Sequence, residues 1–159
     1  MKNTPLTSFL FVMMTVIFSM YYTTLLKKIP CEKDLTSVLV SNFIHTKPTH
    51  FFYNMYAVYA MSRIETKMGF KKFAMLITFA LIVNSIIETL AHKIYESPCS
   101  IGFSGVLYSV FTYDFMATNE VDLYMMTALI AKVFVGDKDS SIIGHLTGVV
   151  SGILFTVGG

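Results

Sequence analysis

Six apolar stretches alternate with short polar segments along this chain. The first runs from Leu6 to Leu26. A charged segment, "KKIPCEKDLTSVLVSNFIHTKPT", follows; its inner part, "LTSVLVSNFI" (residues 35 to 44), has the composition of a short interfacial helix. The second stretch spans about Thr49 to Ser62, and the charged "RIETKMGFKK" reads as a turn that reverses the chain. The third covers Phe73 to Leu90, the fourth Gly102 to Ala117, and the fifth, shorter and carrying Lys132, Leu123 to Val135. The sixth, Ile142 to Gly158, is rich in glycine. A helical membrane span needs roughly 20 mostly apolar residues. In lipid, each backbone polar group must be satisfied within the span, so helices are the structure expected. The pattern therefore predicts an all-α membrane protein of six transmembrane helices, integral and multi-pass. It reads as a single domain over residues 1–159 with no internal repeat or linker.

Composition agrees. Of 159 residues, 54% are hydrophobic and only 14% charged, where a soluble domain carries about 25% charged residues. The net charge of +2 and the lack of a basic cluster suited to phosphate backbones exclude a nucleic-acid partner. The apolar N-terminal run is longer than a signal-peptide core and lacks a small-x-small cleavage site, so it reads as a retained first span. Cys31 and Cys99 have no metal-type spacing; they are either unrelated small residues or a disulfide between loops on one side of the membrane. A cytosolic N-terminus leaves five lysines and arginines on the cytosolic side against seven opposite, yet the densest basic cluster, Arg63 to Lys72, favours that orientation.

Against this apolar background a few polar residues stand out, and at membrane depth such residues are functional suspects. "HTKPTHFFYN" holds His45, His50 and Asn54; His50 and Asn54 lie four apart, one turn apart on a helix face. "GFSGVLY" places Ser104 in the first turn of the fourth span, where free N–H groups and the positive end of the helix dipole would favour an oxyanion. "GHLTGVVSG" puts His145, Gly148 and Gly152 on one stripe of the sixth span. A neutral imidazole there is suited to take a proton from a serine hydroxyl. Each segment also has a plainer reading. Small residues pack membrane helices closely, and polar side chains hydrogen-bond between them. Asp114, ten residues beyond Ser104, lies roughly 15 Å further along the helix, too far to complete a triad. Glu88 reads as solvated near the headgroups. The chemistry favoured is a two-residue Ser–His dyad.

Taken together, the segments resemble the rhomboid family of intramembrane serine proteases. "HTKPTHFFYN" matches that family's H-x(4)-H-x(3)-N on its second helix, "GFSG" its G-x-S-G at the start of the fourth, and "GHLTGVVSG" its H-x-x-G-x-x-x-G on the sixth. Glu65 and Gly69 fit its E-x(3)-G. The resemblance covers essentially residues 5 to 159 and implies a compact six-helix rhomboid-type bundle. It implies Ser104 as nucleophile and His145 as general base and then acid, with His50, Asn54 and the Ser104 N–H binding the oxyanion. Tyr108 would pack against the catalytic histidine, Gly102 and Gly105 would give the serine its tight setting, and His45 would be structural. Neither cofactor nor metal is implied. The partners implied are transmembrane protein substrates, cleaved in or near their membrane segments, and the bilayer itself. The chain departs from the family pattern in having no Trp and a single arginine, Arg63, so the Trp-Arg pair of the first long loop is absent. The alternative function is a catalytically inactive rhomboid-like protein that binds clients without cleavage. A channel or transporter would be expected to show inverted repeats or paired broken helices, and neither is seen.

Overall fold

The computed structural model describes residues 4–26, 34–94, 101–121, 123–124, 126–127 and 142–158. No strand occurs among them, and the helices whose bounds are described are α1 (Pro5–Tyr22), α2 (Leu35–Ser41), α3 (Pro48–Ala60), α4 (Ser62–Met68), α5 (Phe70–Ile94), α6 (Ser104–Thr118) and α7 (Ile142–Gly158); residues 123–124 and 126–127 are also helical. Local chemistry accounts for several of the boundaries. Proline opens both α1 and α3, where its missing N–H has no intrahelical role. Asp34 caps α2 by accepting from the N–H groups of Thr36 and Ser37 and from the Ser37 hydroxyl. These bonds hold its carboxyl below the usual range. Asn119 ends α6 in the left-handed conformation, its N–H returning to Phe115 O at 2.8 Å.

The chain reverses later than the charge pattern suggests. "RIETKM" is not a turn but the helix α4, almost continuous with α3 through Met61. The reversal falls on Gly69, whose φ of +78° suits glycine. The reason lies in the faces of α4. Arg63 and Lys67 are exposed, whereas Ile64 and Glu65 are buried. Glu65 reaches the start of α1, where its two carboxylate oxygens accept from the N–H groups of Leu6 (3.0 Å) and Thr7 (2.8 Å). A buried carboxylate at a helix N-terminus satisfies orphan donors and meets the dipole favourably.

The core lies where α1, α3, α4, α5 and α6 converge, around Met14, Val58, Met61, Phe73, Leu76, Phe103 and Val110. Phe18 of α1 stacks on Phe51 of α3 with ring centroids 4.0 Å apart. Helix α6 is buried on most sides, as expected of a central helix. The outer faces are apolar: Phe9, Val12 and Val16 on α1, Ile82, Ile86 and Leu90 on α5, and Leu146, Val150 and Leu154 on α7 all face outward. Helices α1 and α5 are long and apolar enough to cross a membrane, and α7 is apolar but shorter. Glu88 does not sit solvated near the headgroups. It is 5% exposed and shares the inward face of α5 with Asn84, Ser85 and His92. The fifth predicted span lies mostly outside the described residues, and Cys31 and Cys99 lie wholly outside them.

Candidate active site

The site begins at the entry to α6. Gly102 has φ +101°, a conformation that L side chains rarely adopt. A Cβ there would lie 2.6 Å from Cε1 and 2.8 Å from Nε2 of His50. Its N–H donates to Ser41 O (3.0 Å), which ties the end of α2 to the start of α6. Phe103, fully buried, then anchors the turn, and Ser104 opens the helix. The first backbone bond of this helix runs from Leu107 N–H to Phe103 O. The N–H groups of Ser104, Gly105 and Val106 therefore precede the helical ladder and point out of its N-terminus.

Helix α7 brings the histidine. Ser104 Oγ and His145 Nε2 are 3.1 Å apart; with the proton on Nδ1, Nε2 accepts from the hydroxyl. The ring of Tyr108, one turn along from Ser104, lies over that of His145 at 4.5 Å between centroids and a 35° tilt. Ser104 is buried and His145 half-buried. What holds this distance is a seam of small residues. A Cβ on Gly105 would come within 2.9 Å of Gly144 O, and one on Gly148 within 2.2 Å of Gly105 O. A Cβ on Gly152 would meet Ser109 O at 2.6 Å. Below the site, the hydroxyls of Ser109 and Ser151 bond to one another across the seam. Asn84 of α5 approaches Ser109 Oγ at 3.5 Å.

The third group lies on α3. His50 packs against Gly102 and edge-on to His45, with centroids 5.1 Å apart. Asn54 Nδ2 donates back to His50 O (2.9 Å), leaving its second N–H for another acceptor. His45, His50 and Asn54 are all buried. The structure thus gathers Ser104, His145 and Tyr108, and sets His50 against the residue two before the serine. Asp114 is at the far end of α6, 3.8 Å from Lys67 Nζ. The seam residues Asn84, Ser109 and Ser151 were not singled out from the sequence. Their signal was present: Asn84 and Ser85 interrupt an apolar run, and Ser151 sits between the seam glycines of α7.

A neutral Nε2 next to a hydroxyl, at a helix N-terminus with unladdered N–H groups, is an arrangement able to generate and stabilise an alkoxide attack on a carbonyl. Comparison with known proteins places the chain in a family. A family model described as the Rhomboid domain matches residues 32–158. A rhomboid protein of Acanthamoeba polyphaga mimivirus is 25% identical over 130 residues, covering 79% of this chain and 76% of the viral one. Rhomboid-like protein 14, mitochondrial, of Arabidopsis thaliana is 27% identical over 147 residues, 78% of this chain and 43% of the relative. Rhomboid-related protein 4 of Mus musculus is 24% identical over 147 residues, 80% of this chain and 47% of the relative. The chain thus spans less than half the length of the plant and mouse proteins.

Proposed function

The chain belongs to the rhomboid family, and on that premise we propose that it is an intramembrane serine endopeptidase, a six-span bundle that hydrolyses peptide bonds in or beside transmembrane segments. The observation that carries this reading is the 3.1 Å approach of His145 Nε2 to Ser104 Oγ at the mouth of α6. In the proposed reaction, His145 takes the hydroxyl proton as Ser104 Oγ bonds to the scissile carbonyl carbon. The carbonyl oxygen becomes an oxyanion, met by the Ser104 N–H and by donors from His50 and Asn54. His145 then protonates the leaving amine as the C–N bond breaks. Water, deprotonated by the same imidazole, releases the acyl group and restores the serine. Tyr108 holds the imidazole plane through these proton transfers.

Cleavage of a model transmembrane substrate in proteoliposomes tests the proposal. Ser104→Ala and His145→Ala are each expected to lower the rate by several orders of magnitude, with thermal unfolding little changed. Cleavage surviving in both would sink the reading. Labelling by a fluorophosphonate separates cleavage from client binding alone: wild type is labelled at Ser104, and His145→Ala is not. The rate should also fall on acidification, because an imidazolium accepts no proton from the serine.

A further inference from the structure

A second site lies at the opposite end of the bundle from Ser104. A groove of about 530 Å³ runs between the start of α5 and the end of α7. Its mouth carries Lys71 and Lys72 beside Gly158 at the end of α7, and its walls are Met75, Phe79, Leu154 and Phe155. On α5 the order Lys72, Met75, Phe79 follows one helix face and descends roughly 10 Å from the charged end. The floor is an aromatic cluster: Phe155 meets Phe79 and Tyr113, each at 5.5 Å between centroids. Lys72 Nζ rides over the Tyr113 ring at 5.5 Å. The groove therefore carries two ammonium groups at its rim, only partly offset by the carbonyl end of α7, and is apolar within.

The neighbouring charges do not neutralise the rim. Four of the chain's twelve cationic residues, Arg63, Lys67, Lys71 and Lys72, fall in this short segment and are exposed. Arg63 and Lys67 share a separate recess with Asp114 and Glu120, and Glu65 is turned inward onto α1. Lys71 and Lys72 have no carboxylate within ion-pair distance among the described residues. Their excess of positive charge opposes a headgroup that carries its own cation and favours one with net negative charge.

We propose that this groove binds an anionic glycerophospholipid, its phosphate against Lys71 and Lys72 and the upper part of one acyl chain along Met75, Phe79 and Leu154. The proposal rests on α5 lying in a bilayer and not on the cleavage chemistry. A phosphate bridging two ammonium groups at the interface matches the way basic residues recruit anionic lipids. The length of the groove accommodates the first several methylenes.

Native mass spectrometry of the full chain in neutral detergent, with phosphatidylglycerol or phosphatidylcholine of equal chain length, tests it. Wild type is expected to retain one phosphatidylglycerol in preference to phosphatidylcholine. Lys71→Gln/Lys72→Gln should weaken retention roughly 30-fold, and Lys93→Gln, at the other end of α5, should not. Leu154→Trp fills the groove without touching its charge and should also abolish retention. It decides the matter if the double lysine variant does not fold. Water-soluble glycerol phosphate should not displace the lipid. Equal retention of both lipids, equal loss in Lys93→Gln, undiminished retention in Leu154→Trp, or a lipid-free dimer closing the groove would each overturn the assignment.

Discussion

At the scale of single residues, the site depends on atoms that are missing. Gly102 has no Cβ, so the chain adopts φ +101° and His50 sits where a methyl would be. Gly102→Ala is expected to strain the backbone and push His50 aside, destabilising the protein by about 1–3 kcal/mol and impairing cleavage with it. Thermal unfolding and cleavage assays on the same preparation check this, and an unaltered pair of values would count against it. Tyr108 acts differently, because it is its ring that lies on His145. Tyr108→Phe should therefore keep nearly full activity. Tyr108→Ala frees the imidazole and should lower kcat by roughly 100-fold, the scale of a misplacement of about 1 Å. The split between the two variants is the readout. The candidate residues stood out in the sequence only because three motifs, each weak alone, coincide in order along the chain, and the structure brings Ser104, His145 and Tyr108 of those motifs together. The place of Glu88 was not legible, because charge alone says "surface" and burial depends on which face of α5 turns inward.

At the scale of elements, the seam between α6 and α7 sets how near His145 comes to Ser104. The glycine stripe of α7 predicted a close neighbour, but which neighbour and how close required the fold. Gly148→Ala would place a methyl 2.2 Å from Gly105 O. The helices must part, at a cost of about 1–3 kcal/mol, and the His145–Ser104 distance must lengthen. Cleavage should fall further than stability does. Gly158→Ala, whose methyl would meet nothing within 4 Å, is the matched control. Helix α4 teaches the converse lesson. Its charged residues hid a helix from a reading that treated charge as a turn, since Arg63 and Lys67 share one face while Glu65 points inward to α1. Glu65→Ala leaves one buried and one partly buried N–H donor without their acceptor and is expected to cost about 2–3 kcal/mol. Glu65→Gln should recover part of that, since one carbonyl oxygen still accepts. Thermal unfolding of the pair distinguishes capping of α1 from a loose surface role, for which both would be neutral.

At the scale of the whole molecule, two contacts fix a level within the bundle. Lys67 reaches Asp114 and Lys72 covers Tyr113, so the far end of α6 lies beside the basic start of α5. Lysines at the end of an apolar helix long enough to cross a membrane belong at the interface. Ser104 precedes Asp114 by ten positions, so it sits roughly 15 Å inward from that interface. In the six-span bundle proposed above, that is about the middle of a 30 Å hydrocarbon core. The proposed hydrolysis then needs water to arrive from the opposite face, through the end of the bundle where α2, Gly102 and the start of α6 meet. Ser104→Cys in a background lacking Cys31 and Cys99 tests this. A small membrane-impermeant thiol reagent should label it in sealed vesicles only from the face opposite the Arg63–Lys72 cluster. Lys71→Cys should be labelled only from the cluster's own face. The rate at Ser104→Cys should be well below that of an exposed position, since residue 104 is buried. Labelling of both cysteines from one side would place the serine near the basic interface and break the argument from helix rise. No labelling from either side, with the fold intact, would mean that bulk water does not reach the dyad and that the proposed hydrolysis lacks its second substrate.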